Sequence, residues 1–152
     1  MITNIKEEKP LPVYGNGKNI RDWIYVEDHN NAVWLVMKNG KPGQKYNIGG
    51  ENEWQNLELL YKVIELCAKE LGRDARQIEK LITFVKDRPG HDERYAIDCS
   101  KIKNELGWTR EVSFEEGLEK TMKWYLSNEA WVENVKSGAY REWLSKNYDH
   151  RR

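Results

Sequence analysis

A mixed α/β domain, with one small sheet of short strands and five or six helices, is the fold class this sequence predicts. Three observations carry that expectation. Apolar residues recur at helical spacing, as in Leu60, Val63, Ile64, Cys67 and Leu71; short β-branched and aromatic runs such as 81–85 stand between such stretches; glycine or proline punctuates most junctions. Four or five short strands dispersed among helices suit a layered mixed fold. A length of 152 residues fits one domain, 1–152, that buries about two-thirds of its unfolded surface. It leaves no room for a full dinucleotide-binding fold as well.

The elements follow in order. MITNIKEEKP opens as if already inside a helix, with no capping residue before it, and Pro10 stops these turns at Lys9. Leu11–Tyr14 reads as extended, Gly15-Asn16-Gly17 as a tight turn, and Ile20, Trp23, Ile24, Tyr25 and Val26 as a second extended run, together a two-stranded unit. From Asp28 the period becomes helical, with Ala32, Val33, Val36 and Met37 on one face and Gly40 as the stop. After the Pro42-Gly43 turn, 46–48 reads as a strand ending at Gly49-Gly50, and a long helix runs from near Asn56 to Gly72. The run 81–85 is a strand. Ser100–Leu106 is a short helix ended by Gly107, and Ser113 with Glu116 forms a capping box for the next one, whose stripe is Phe114, Leu118, Met122, Tyr125 and Leu126. Residues 129–152 read as a helical tail with aromatic anchors. There is no internal repeat.

Lys plus Arg equals Asp plus Glu, 25 each, so the chain lacks the basic field that nucleic-acid binding requires. No apolar run approaches the roughly 18 residues of a membrane span, and the expected location is cytoplasmic. Cys67 and Cys99 stand alone without CxxC spacing, which argues against a metal site or a disulfide framework. Seven tryptophans and eight tyrosines serve either as core fillers or as cover for another domain or subunit.

Polar clusters fall where strands end: PLPVYGNG, NIRDWIYVED, NIGGENEWQN and DRPGHDERY. Strands lying side by side would bring Tyr14, Arg21, Asn47, Asn56, Arg88, His91 and Arg94 to one edge. Guanidinium forks pair bidentately with phosphate oxygens, and an aromatic ring beside extended backbone suits a base. The composite is a nucleotide-diphosphate pocket. Arg21-Asp22 and Asp87-Arg88 read equally well as loop salt bridges, and His91 has no serine, cysteine or second histidine to make a catalytic pair. Tyr14 and Lys18 have YxxxK spacing, but Gly-Asn-Gly between them makes a turn, so the side chains do not share a helix face.

Four stretches, LPVYGNGKNIRDWIYVEDH, YNIGGENEWQN, KDRPGHDERYAID and WVENVKSGAYREW, resemble the C-terminal part of the dTDP-glucose 4,6-dehydratases, extended members of the short-chain dehydrogenase/reductase superfamily. The resemblance implies that Pro12, Val13 and Tyr14 line the thymine of a dTDP-sugar. It implies that Arg21 and Arg88 hold the diphosphate and that Asn56, Asp87, Pro89, Gly90 and His91 complete the contacts. It also implies a reaction in which NAD oxidises the sugar at C4, water is lost across C5 and C6, and the hydride returns to C6. The family's NAD-binding glycine motif and its catalytic tyrosine and lysine have no counterpart in these 152 residues. The expectation is therefore a substrate-binding portion without cofactor or catalytic residues of its own, inactive alone. Its implied partners are the missing NAD-binding half and a second copy, as a homodimer or swapped assembly. Two alternatives stand beside it, a stand-alone nucleotide-sugar-binding module and a portion of a related UDP-sugar epimerase or decarboxylase. Glu93, where relatives often show arginine, departs from the pattern.

Overall fold

The structure, a computed structural model, describes residues 1–138. The elements run α1 (Ile2–Lys6), β1 (Leu11–Tyr14), β2 (Ile20–Asp22), α2 (Val26–Asn39), β3 (Glu53–Gln55), α3 (Asn56–Leu71), α4 (Ala75–Glu79), β4 (Ile82–Val85), α5 (Ser100–Leu106), α6 (Phe114–Ser127) and α7 (Glu129–Ser137). The fold is mixed α/β.

β1 pairs with β4 in parallel, Leu11 opposite Ile82 and Tyr14 opposite Val85. β2 pairs with β3 antiparallel, Ile20 opposite Gln55 and Asp22 opposite Glu53. Alternation explains β1: Leu11 and Val13 are buried while Pro12 and Tyr14 face out. Pro12, which has no N–H to donate, fits a strand paired along one edge only.

The main core lies where the inner face of α3, with Leu60, Val63, Ile64, Cys67 and Ala68, meets Leu11, Val13, Ile5, Ile78 and Met122. Burial pushes the Cys67 thiol up to about 11, so it behaves as a packing group. A second cluster joins α2 to α5 through Ala32, Cys99, Ile102 and Trp108. Two carboxylates tie the connecting segments together. Asp28, 2% exposed, accepts from the backbone N–H groups of Glu111 and Val112, each at 3.1 Å. Asp22 accepts from Gly50 N at 2.8 Å and Asn52 N at 2.7 Å. The chain there comes so close that a Cβ on Gly50 would fall 1.9 Å from the Trp23 carbonyl oxygen. Only glycine fits, which accounts for the Gly-Gly pair.

Several sequence expectations need correction. The strands form two two-stranded sheets and not one, and β1 and β2 are not a pair, because β1 finds its partner in β4 across an intervening helix-rich segment. The described residues hold seven helices where five or six were expected; α4, capped by the Asp74 side chain on Arg76 N at 2.9 Å, is the addition. The second extended run stops at Asp22, and α2 opens at Val26, two residues before Asp28. Val33 and Met37 of α2 are exposed, 39% and 71%, while Leu35 and Val36 pack inward. No strand forms at 46–48; the strand beyond the glycines is β3. Ser113 does cap α6, accepting from Glu116 N at 3.2 Å, but the Glu116 carboxylate pairs with Lys120 instead of closing the box. The tail is helical over α7, and residues 139–152 lie outside the described residues. No helix among the described residues is long and apolar enough to cross a membrane.

Candidate functional site

The parallel register of β1 and β4 sends two loops out at the same sheet end. Gly15 N donates to Val85 O at 3.0 Å, so the turn after Tyr14 and the loop after Val85 begin side by side. Gly15 has φ +56° and packs so closely that a Cβ there would lie 2.8 Å from Asp87 Oδ2. Asp87 Oδ1 accepts from Arg88 N at 2.9 Å and pairs with His91 Nδ1 at 2.6 Å. The His91 hydrogen bond, foremost, holds the Asp87 carboxyl below its usual range. The imidazole, only 7% exposed, meets the Tyr14 ring edge-on at 6.3 Å between centroids.

A third segment, 92–95, lies along β2. Ile20 N donates to Glu93 O at 2.7 Å and Tyr95 N to Ile20 O at 3.2 Å. This lets Arg21 reach over, its Nη2 donating to Asp92 O at 3.0 Å and its guanidinium lying 4.4 Å from the centre of the Tyr95 ring. The Tyr95 hydroxyl donates to the Asp92 carboxylate, which lifts the phenol above its usual range against the opposing pull of both Arg21 and Arg88. Arg21 sits over the ring, while Arg88 acts on it only through its charge from the preceding loop. Asn19, 7% exposed, donates to Asp92 O at 3.2 Å and accepts through its backbone carbonyl from Asn56 N at 3.0 Å, which fixes the first residue of α3 to the same cluster.

Tyr14, Arg21, Arg88, Asp87 and His91 thus come together, with Asn56 linked through Asn19. Pro12 and Tyr14 share the exposed side of β1, whereas the Val13 side chain is 5% exposed and belongs to the core. Pro89 and Gly90 form an exposed turn, with Gly90 at φ +68°. Neither expected salt bridge forms. Asp22 is committed to backbone amides, and the exposed Arg88 guanidinium has no hydrogen bond or ion pair among the described residues. Two of the expected edge residues do not join them: Arg94 lies in the 92–95 segment, but its guanidinium is committed to β3, and Asn47 lies elsewhere. Arg94 makes a two-pronged pair with Glu53, at 2.6 and 2.8 Å, and Asn47 donates to Asp98 O at 3.4 Å in a shallow groove beside His29 and Ile97. Sequence reasoning missed Asn19 and Tyr95; the signal for Tyr95 was its place inside the DRPGHDERY cluster, where an aromatic ring offers a platform for a guanidinium.

Chemically, two cationic forks beside aromatic faces bind anionic oxygens and a planar ring. Among the described residues no group of three or more His, Cys, Asp or Glu is placed to hold a metal ion. Nor do the described residues fit NAD. A dinucleotide pyrophosphate needs a strand that passes through a glycine turn into a helix N-terminus; here Gly15 and Gly17 lead into β2, and β3 passes directly into α3 without a glycine. A cavity of about 640 Å³ lies elsewhere, walled by Trp23, Tyr25, Phe114, Trp124 and Trp131. Asn52 lines it, and its buried Nδ2 has no hydrogen-bond partner among the described residues.

Comparison with known proteins places the chain in a family. A dTDP-glucose 4,6-dehydratase of Salmonella typhimurium is 52% identical over 151 residues, 99% of this chain and 42% of that protein. The crystal structure of dTDP-glucose 4,6-dehydratase from Bacillus anthracis in complex with NAD superposes with a TM-score of 0.72 at 45% identity, over 86% of this chain and 39% of that one. More distant is UDP-glucuronic acid 4-epimerase from Bacillus cereus, in complex with UDP-glucuronic acid and NAD, with a TM-score of 0.68 at 27% identity over 83% of this chain and 38% of its own. The chain spans well under half the length of the relatives it matches. About half the chain's residues are shared with the dTDP-glucose 4,6-dehydratases it resembles, the fold is that of the extended short-chain dehydrogenase/reductases, and the GDP-mannose 4,6 dehydratase family model covers residues 1–121, so the chain belongs to that family.

Proposed function

We propose that this chain is the nucleotide-sugar-binding portion of a dTDP-glucose 4,6-dehydratase and takes a dTDP-sugar at the loop cluster between β1, β2 and 86–95. The observation that supports this reading is the Arg21 guanidinium over the Tyr95 ring together with the exposed Arg88 on the loop that His91 joins to Tyr14, neither arginine having a carboxylate partner among the described residues. Two guanidinium forks suit the two phosphates of a nucleoside diphosphate. The ring and backbone of 12–14 supply the base platform, and Asn56, Asp87, Pro89, Gly90 and His91 complete the pocket.

On this reading the chain contributes binding energy from the nucleotide, the remote part of the substrate that positions the sugar for reaction. The NAD site and the groups that move hydride and protons belong to the length of the relatives that this chain does not span. The occupant we assign to the aromatic cavity is that remaining part of the enzyme, and the unpartnered Asn52 Nδ2 supports it, since a buried amide without a partner is costly.

Calorimetric titration with dTDP and with UDP tests the reading. Saturable binding that favours dTDP is expected. Equal or tighter binding of UDP would favour the epimerase-like alternative, for which the UDP-sugar-binding structural neighbour is the supporting observation. Binding of neither would overturn the site. The chain with added NAD and dTDP-glucose is expected to give no 4-keto-6-deoxy sugar, and turnover would overturn the division of labour. Sedimentation separates occupants of the aromatic cavity: a second copy covering it would show as a dimer lost on Trp124→Glu.

A further inference from the structure

We propose that Asp87 and His91 act as a single latch, two positioning residues that hold the 86–91 loop against the 14–17 turn so that Arg88 is presented to the ligand. This deepens the proposed function and rests on it for the identity of the ligand, a nucleoside diphosphate. It departs from the simpler view in which both side chains touch that ligand.

Asp87 is badly suited to direct contact. A carboxylate facing a diphosphate repels it, and its oxygens are already committed: Oδ1 serves both Arg88 N and His91 Nδ1, while Oδ2 lies against Gly15. His91 is equally committed, with one ring nitrogen on Asp87, its ring edge-on to Tyr14 and only 7% of its side chain exposed. What the pair does instead is close a five-residue loop. Pro89 and the left-handed Gly90 make the turn, the Asp87–His91 bond ties its two ends, and Arg88 is left on the outside as the one exposed cation between them. The tie crosses to the neighbouring strand end, because Asp87 packs on Gly15 and His91 on Tyr14. The charged group facing the pair is Arg88 from its own loop, and across the pair lies the neutral Tyr14 ring of β1. A loop ordered only part of the time binds more weakly in proportion to that fraction.

The test is a double-mutant cycle on the 152-residue chain, read in two ways. In dTDP titrations, Asp87→Ala and His91→Leu are each expected to weaken binding roughly tenfold, and the double variant by no more than either alone, as partners in one interaction do. His91→Asn, whose amide nitrogen can occupy the Nδ1 position, is expected to restore affinity to within about threefold of the parent. Residues that contact the ligand separately would instead give additive losses, and that outcome overturns the latch. The second readout needs no ligand: amide hydrogen exchange in peptides covering 14–18 and 86–92 should rise together in Asp87→Ala and His91→Leu and stay near parental in His91→Asn. Unchanged exchange, or loosening confined to one of the two segments, also overturns it. A parent chain that fails to bind dTDP would remove the proposed ligand while leaving the latch to be decided by exchange alone.

Discussion

Asp28 and Asp87 are both aspartates that hold a loop, and they do it in opposite ways. Asp28 is buried on α2 and accepts from two backbone amides far along the chain. Asp87 is partly exposed and accepts from a histidine and from the amide next to it. The first arrangement joins segments whose positions are then fixed regardless of any side chain; the second orders a short loop through a side-chain pair that can break without unfolding anything. Scaffold and site use the same functional group, and burial together with the nature of the donor decides which it serves.

The largest expected effect tests the scaffold side. Asp28→Ala leaves two amides without partners in a closed environment and should cost about 2–5 kcal/mol in urea unfolding, since each orphaned buried donor costs roughly 1–3 kcal/mol. Binding of dTDP by whatever remains folded should be unchanged. Next comes Arg88→Ala, expected to weaken dTDP binding by roughly 10- to 100-fold, the worth of a charge-assisted hydrogen bond or two, while the melting temperature stays put. Arg88→Lys should recover only part of that loss, because a point charge does not replace a fork. Loss of stability in Arg88→Ala would break the division between the two regions.

Smaller still is Gly15→Ala, with an expected cost of about 1–2 kcal/mol from its positive φ and its approach to Asp87. Gly43→Ala sharpens the comparison. It shares a positive φ, but nothing lies within 4 Å of its Cβ position, so any excess of the first variant over the second reports the Asp87 contact. Last is the pH dependence. The Asp87 carboxyl is held below its ordinary value of 3.8, chiefly by the hydrogen bond from His91, so its ionised form favours the folded chain. That contribution is complete above the ordinary value and disappears as pH falls through the lowered one. Urea midpoints of the parent and Asp87→Asn should therefore differ near neutrality, begin to approach each other as pH falls past the ordinary aspartate value, and converge only below the lowered one.

Local pattern was legible where local physics decides. β1 has the boundaries its alternation and its flanking glycine turn foretold, and α3 runs from Asn56 to Leu71 as its apolar spacing requires. The short helix before Gly107 ends there because that residue adopts a left-handed conformation. Strand partnership was not legible, since the choice of β4 over β2 for β1 rests on how α3 packs and leaves no mark near Tyr14. The residues 46–48 looked like a strand because Tyr and Ile alternate with Asn, yet they pack singly against the α2–α5 cluster. Asp22 and Asp28 gave no sign of their roles, because backbone amides are anonymous in a sequence. The site was half visible: DRPGHD drew notice through its unusual density of charge, and Arg21 through its motif. Asn19 was hidden because its work is done through contacts with Asp92 and Asn56.

Pairing Leu11 with Ile82 has a kinetic meaning. Before those residues meet, α2, β3, α3 and α4 must be threaded between them, a long loop closure that yields no ladder hydrogen bonds until it is complete. Tyr14 and Asp87 cannot adjoin until that zipper has closed from Leu11 upward. If the proposed ligand-binding surface forms only after the rate-limiting step of folding, a bound nucleotide will slow unfolding and leave the folding rate unchanged; if the zipper closes within that step, the nucleotide will also speed folding, and stopped-flow refolding with and without dTDP separates the two.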